Sequence, residues 1–227
     1  DASVEYPQTQ ANSSGIPKAI SDLVLAAPFN DLQTTSQIIE AHKDDIAAVI
    51  VEPLQRVIAP EPGFLQGLRD ITKKYSIPLI FDEVVTGFRL SYGGAQQHYG
   101  VTPDLACVGK IMGGGYPLAA VTGITDIMSS YESSTDSEYF VPQTGTLNGN
   151  PIACAAGIAT LKELQNKDNY EKINNTGKQI REFIREASSR HNIPVQICGE
   201  NQIFGLFFTD RKISNYRDGL ATDSALH

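Results

Sequence analysis

The sequence predicts an α/β fold, a mostly parallel sheet with flanking helices. Three observations carry this. Short apolar runs recur at residues 46–51, 78–81, 105–108 and 119–124. A stretch of helical periodicity, residues 64–75, separates the first two. The first run, Ile-Ala-Ala-Val-Ile-Val, has no polar alternation, as expected of a strand buried on both faces. Strands alternating with helices indicate βαβ units, and these build parallel sheets.

Each element has its own signal. Residues 1–21 are polar, carry Pro7, Gly15 and Pro17, and are expected to be irregular. Residues 23–27 read as a strand. Residues 31–43 read as a helix capped by Asn30 or Asp31. Strand 46–51, helix 64–75 and strands 78–81, 105–108 and 119–124 follow. Residues 151–164 form one apolar helix, with Asn150 a good N-cap and Pro151 suited to the first helical position. Residues 169–190 form a longer, amphipathic, charged helix. Residues 195–197 and 203–208 read as strands. The change of character near 165–168 divides the chain. Residues 1–165 belong to a larger unit, and residues 166–227 begin a smaller C-terminal α/β unit that is incomplete.

Composition narrows the function classes. The 227 residues carry 26 acidic and 18 basic side chains, a net charge of −8. Nucleic-acid binding needs a basic patch, so no nucleic-acid partner is expected. No apolar run approaches the ~20 residues that span a bilayer, so no membrane partner is expected. Cys107, Cys154 and Cys198 are odd in number and widely spaced, which suggests reduced thiols in a cytoplasmic protein. His42, His98, His191 and His227 are isolated in sequence, so no metal site is expected. Neither G-x-G-x-x-G nor G-x-x-x-x-G-K-[ST] nor G-x-S-x-G occurs. The chain starts at Asp1 rather than Met, and reads as the central part of a longer protein.

The chemistry gathers at two strand ends. The run Pro78-Leu79-Ile80-Phe81 ends at Asp82. The run Leu105-Ala106-Cys107-Val108 leads through Gly109 to Lys110, then Ile111-Met112 and three glycines, Gly113-Gly114-Gly115. Open α/β sheets bind ligands at the carboxyl ends of strands. Alone, Asp82 reads as a surface carboxylate and Lys110 as a solvated lysine. Together they are what a pyridoxal phosphate enzyme needs: an amine for a Schiff base and a carboxylate for the protonated pyridine nitrogen. An opposite charge beside the ring nitrogen favours its protonated form. A partly desolvated lysine has a lowered pKa and becomes a usable nucleophile.

Three segments then carry a resemblance: Phe81-Asp82-Glu83-Val84-Val85-Thr86-Gly87-Phe88-Arg89, residues 104–117 around Lys110, and Gln143-Thr144-Gly145-Thr146-Leu147-Asn148-Gly149-Asn150-Pro151. With Val51-Glu52-Pro53 and Val101-Thr102-Pro103-Asp104-Leu105, they resemble the class III, fold type I aminotransferases, and within them the glutamate-1-semialdehyde aminomutase-like branch. The resemblance runs from Ser21 to the end of the chain. It implies pyridoxal 5'-phosphate as cofactor and Lys110 as the Schiff-base lysine that also shuttles a proton. It implies Asp82 as partner of the pyridine nitrogen and Val84 packed on one ring face. It implies Thr146 on the cofactor phosphate of the other subunit, hence a homodimer with shared active sites. Glu52 matches a carboxylate near the substrate entrance. Glu83 and Arg89 are expected to be structural or supporting groups. A glycine-serine/threonine phosphate loop and a ring-stacking aromatic cannot be located in the chain.

Two departures bear on the reaction. Residues 54–60, Leu-Gln-Arg-Val-Ile-Ala-Pro, replace a short stretch containing glycine and asparagine, and residues 118–123, Leu-Ala-Ala-Val-Thr-Gly, replace a run of small residues. They favour an aminotransferase acting on an amine or amino acid and a keto acid. The alternatives are the aminomutase itself, an isomerase, and, from another class, a catalytically silent module kept for partner binding. The presence of Asp82, Lys110 and Thr146 together argues against the last.

Overall fold

The computed structural model describes residues 5–11, 13–132 and 139–222. Four strands form the main sheet: β1 (Val49–Val51), β2 (Leu79–Glu83), β3 (Leu105–Val108) and β4 (Ala120–Gly123), adjacent in that order. The first three run parallel and β4 runs antiparallel to β3. The helices are α1 (Lys18–Ser21), α2 (Leu32–Ala41), α3 (Phe64–Lys74), α4 (Gly94–Tyr99), α5 (Thr125–Met128), α6 (Pro151–Leu164), α7 (Lys167–Arg190) and α8 (Tyr216–Leu220). A 3-10 turn, Lys110–Gly113, follows β3 directly.

The core forms where β2 meets the helices. Alternate residues of a strand point to opposite faces. Leu79 and Phe81 on one face of β2 are fully buried, together with Leu65 and Leu68 of α3, Ile39 of α2 and Ala106 of β3. Helix α3 reaches this face because Phe64, Leu65 and Leu68, with Thr72 one turn on, form one buried stripe. Thr72 satisfies its hydroxyl on the Leu68 carbonyl at 2.9 Å. The Asp104 carboxylate fixes the start of the strands. It accepts from the Leu79 amide and from the Arg69 guanidinium of α3, both at 2.7 Å. Asp31, one of the two expected caps, accepts from the Thr34 amide at 3.0 Å and starts α2.

Three expectations fail. Residues 1–21, expected to be irregular, end in the short helix α1, Lys18–Ser21, where the Ser21 and Asp22 amides donate to the Pro17 and Lys18 carbonyls. Residues 23–27 form no strand. Among the described residues they find no partner strand, only single bonds such as the Ala26 amide to the Pro7 carbonyl at 2.9 Å, and Leu23 is 80% exposed. Apolar composition alone does not make a strand when no ladder receives it. Residues 46–51 shorten to the three of β1, and Ile50 is 64% exposed. The strand lies at the edge of the described sheet, so only Val49 and Val51 pack on the core. By contrast, α6 begins and ends as expected, with Asn150 Oδ1 accepting from the Ile152 and Ala153 amides at 3.0 and 3.1 Å.

Past α6, Asn166 caps α7, and β5 (Gln196–Glu200) pairs antiparallel with β6 (Ile203–Phe207). Arg181 of α7 holds the hairpin by donating to the carbonyls of Gly199, Glu200 and Ile197 at 2.7, 3.0 and 3.2 Å. The hairpin also joins the main core, because Cys198 and Phe207 pack on the cluster that includes Ile213. The three cysteines are free. Among the described residues no helix is long and apolar enough to cross a membrane, and no group of three or more His, Cys, Asp or Glu is arranged to hold a metal.

One close approach sets the position of α7. Gly177 is the buried residue of this helix, and a Cβ there would overlap the carbonyl of Asn201 in the hairpin turn. Alanine gains about 1 kcal/mol in helix propensity, but overpacking against backbone costs about 3 kcal/mol. Gly177→Ala is therefore expected to lower stability by about 2 kcal/mol, measured by urea or thermal unfolding. An unchanged or higher midpoint would show that the helix and hairpin are not packed this way.

Candidate active site

The site is built at the carboxyl ends of the parallel strands. In β2, Leu79, Phe81 and Glu83 face the core, which turns Asp82 to the other side, half-buried. Asp82 Oδ1 accepts from the Val84 amide at 3.1 Å and closes a tight turn at the strand end. Its second oxygen has no partner among the described residues. Asp82 lies in register with Cys107 of β3. Burial, and then the negative charge of Asp82, push the Cys107 thiol above its ordinary pKa.

Strand β3 passes through buried Gly109, whose position is within van der Waals reach of Val84. Lys110 comes next. Its φ of 49° lies in the left-handed region, unusual for a long side chain, and it opens the 3-10 turn. Its side chain is exposed, and its amine has neither hydrogen bond nor ion pair among the described residues. Helix α6 fixes this turn from below. Gly157 of α6 approaches so closely that a Cβ there would stand 3.2 Å from the Met112 carbonyl and overlap Leu118. Gly114, just past the turn, likewise lies against Thr160.

Glu52 follows β1. Since Val51 pairs with Phe81, the register continues with Glu52 level with Asp82, one strand away. Its Oε2 accepts from the Arg56 amide at 3.0 Å, so this carboxylate also closes a turn. The following loop is packed rather than free. Leu54 and Ile58 are buried, and the backbone of Gly199 and Gly205 in the C-terminal hairpin lies against Val57. Thr146 stands in an exposed turn leading to the Asn150 cap, and no hydrogen bond joins it to the strand-end residues. The structure thus gathers Glu52, Asp82, Val84 and Lys110 at one end of three strands and leaves Thr146 on a surface turn. A hollow of about 230 Å³ among Tyr6, Phe29, Gln55, Tyr216 and Arg217 lies elsewhere.

Glu83, expected to be a structural or supporting group, is buried behind the strand end. This carboxyl is 1% exposed and accepts from the Thr86 hydroxyl, the Ala95 amide and the Gln96 side chain at 3.0, 2.5 and 2.9 Å. The available signal was strand alternation, which puts a residue next to an outward Asp82 on the core face.

An unpartnered amine and an unpartnered carboxylate oxygen on adjacent strand ends fit a group with an aldehyde and a basic ring nitrogen, the donor set that pyridoxal phosphate requires. Fold and site together define the class: an α/β protein whose chemistry-bearing residues cluster at the carboxyl ends of neighbouring parallel strands. The chain belongs to the aminotransferase class-III family, whose model matches residues 7–223. It is 41% identical over 216 residues, 94% of its length, to the glutamate-1-semialdehyde 2,1-aminomutase of Natranaerobius thermophilus, of which it covers 49%. It superposes on an omega-transaminase from Sphaerobacter thermophilus with TM-score 0.89 and 36% identity, covering 97% of this chain and 50% of that one. A transaminase with PLP bound superposes with TM-score 0.82 and 28% identity, over 88% of this chain and 47% of that one. The fold is therefore that of the fold type I transferases, and the chain spans about half the length of the curated relatives it matches.

Proposed function

We propose that the protein containing this chain is a pyridoxal phosphate-dependent aminotransferase that moves an amino group between an amine or amino acid and a keto acid. The observation that carries this is the Lys110 amine and the second oxygen of Asp82 on adjacent strand ends, neither of them partnered among the described residues. When bound, pyridoxal phosphate supplies an aldehyde that takes up the amino group and a ring that accepts electrons from the substrate α-carbon. Lys110 would hold the aldehyde carbon, and its amine would move the proton at the substrate α-carbon. Asp82 keeps the ring nitrogen protonated through its negative charge. Val84, beside Gly109, offers an apolar surface to one ring face. Thr146, on its exposed turn, serves the cofactor phosphate of a second subunit in a homodimer. Glu52, level with Asp82, borders the substrate entrance. Residues 1–165 belong to the cofactor-binding unit and residues 166–227 begin the smaller one, the break falling between α6 and α7. The protein acts in the cytoplasm.

A second reading has its own support: relatives at 41% identity are named glutamate-1-semialdehyde 2,1-aminomutase. The altered residues 54–60 and 118–123, and the omega-transaminase superposition, favour the first. An aminotransferase runs two half-reactions and is expected to show ping-pong kinetics. Full-length enzyme is assayed with β- and ω-amino donors, with and without pyruvate or 2-oxoglutarate. Turnover of a donor only when a keto acid is added is the expected result. Conversion of the semialdehyde alone, with no donor–acceptor pair turned over, establishes the aminomutase instead.

A further inference from the structure

We propose that Glu83 is a positioning residue for the strand-end site: its buried carboxyl clamps the 83–96 loop and so fixes the directions of Asp82 and Val84. The inference rests on the cofactor reading above.

Glu83 sits between the two residues that turn toward the site. Being 1% exposed on the core face of β2, it leaves Asp82 on the opposite face, and the chain enters the turn at Val84, whose side chain lies beside Gly109. The carboxyl is held from three places. Oε2 accepts from Thr86 at 3.0 Å, in the turn just after Val84, and from the Ala95 amide at 2.5 Å in α4. Oε1 accepts from the Gln96 side chain at 2.9 Å and its amide at 3.4 Å. All four contacts come from donors, a pattern that a carboxylate satisfies and an amide only half satisfies. The loop is shaped to admit this carboxyl. Gly94 has φ of 67°, and a Cβ there would overlap Glu83 Oε2. Gly87, whose amide donates to the Glu83 carbonyl at 2.8 Å, would with a Cβ crowd that oxygen and Val108 of β3. At its far end, α4 carries Tyr99, which donates to Glu200 of β5 at 3.0 Å. The clamp therefore also ties the strand end to the C-terminal hairpin.

The test uses the full-length protein and the variants Glu83→Gln, Glu83→Asp, Gln96→Leu and, as a stability control in α3, Thr72→Val. Two signals are read. In apo-protein, the pH dependence of alkylation of the Cys107 peptide reports where the Asp82 charge lies. With pyridoxal phosphate added, visible absorption gives cofactor affinity and the pH midpoint of the bound chromophore. Glu83→Gln is expected to weaken cofactor binding about tenfold or more, because a buried donor loses its acceptor. Both pH midpoints should move, Glu83→Asp should restore part of the change, and Gln96→Leu should give a smaller shift of the same kind. Thr72→Val should lower the melting temperature without moving either midpoint. A folded Glu83→Gln protein with wild-type midpoints and affinity overturns the proposal, as does an equal shift in Thr72→Val. If Glu83→Gln does not fold, unchanged midpoints in Gln96→Leu overturn it. A wild-type protein that takes no colour from pyridoxal phosphate sinks the cofactor reading, whereas wild-type colour with unmoved variants sinks only the role of Glu83.

Discussion

Lys110→Ala is expected to abolish transamination, a loss on the order of 10⁴-fold or more in turnover, about 5 kcal/mol of barrier. The structure gives reasons to expect the fold to survive. The Lys110 side chain is exposed and makes no hydrogen bond or ion pair among the described residues, so its truncation removes no packing. The left-handed φ of 49° strains any residue that carries a Cβ, so lysine and alanine share that cost. The turn itself is held by α6 through Gly157 and by the small residues beside Thr160, none of which the substitution touches. The measurement pairs activity with a thermal melt. Borohydride reduction of the wild-type protein with pyridoxal phosphate should leave the cofactor on the peptide containing Lys110. Attachment to any other lysine would falsify the assignment.

Asp82→Asn is expected to leave cofactor binding in place and lower turnover about 10³-fold, or about 4 kcal/mol. The substitution keeps the shape and can still accept from the Val84 amide at the strand end. What it removes is the negative charge that favours a protonated ring nitrogen. The same variant carries an internal check that needs no cofactor. The Cys107 thiol is raised first by burial and then by the charge of Asp82. Removing that charge leaves burial alone, so the thiol pKa should fall part of the way toward its ordinary value, and alkylation of Cys107 should begin at lower pH. Near-normal turnover in the Asn variant would end the proposed role of Asp82. An unshifted Cys107 would mean that the two side chains are not neighbours across β2 and β3.

Much of the fold was legible because local signals were unambiguous. Asn150 and Pro151 announced the start of α6, and the structure begins the helix there. Strand β3 matched its apolar run residue for residue. The runs at residues 23–27 and 46–51 misled for one reason. Apolar residues report a tendency to be buried, and whether a partner covers them is a property of the assembled chain. Leu23 and Ile50 have the composition of a core and the exposure of a surface. The candidate site was legible as residue types, through Asp82 at one strand end and Lys110 past another. Their adjacency was not, because it depends on β2 and β3 pairing in the register that sets Asp82 beside Cys107.

The sequence by itself determined the alternation of strands and helices, the cap of α6, the acidic balance and the pair of candidate site residues, since periodicity, capping and charge are local properties. Tertiary structure alone decided the rest. The parallel register brings Glu52, Asp82 and Lys110 to one end of the sheet, although 58 positions separate the first from the last. It turns β4 antiparallel at the sheet's other side. It buries Glu83 among donors supplied by Thr86, Ala95 and Gln96, and it packs the 54–60 loop under a hairpin more than 130 residues away. The physical reason is common to all of these. A hydrogen-bond ladder or a buried carboxyl is satisfied by groups distant in sequence, and no local pattern encodes which of them will arrive.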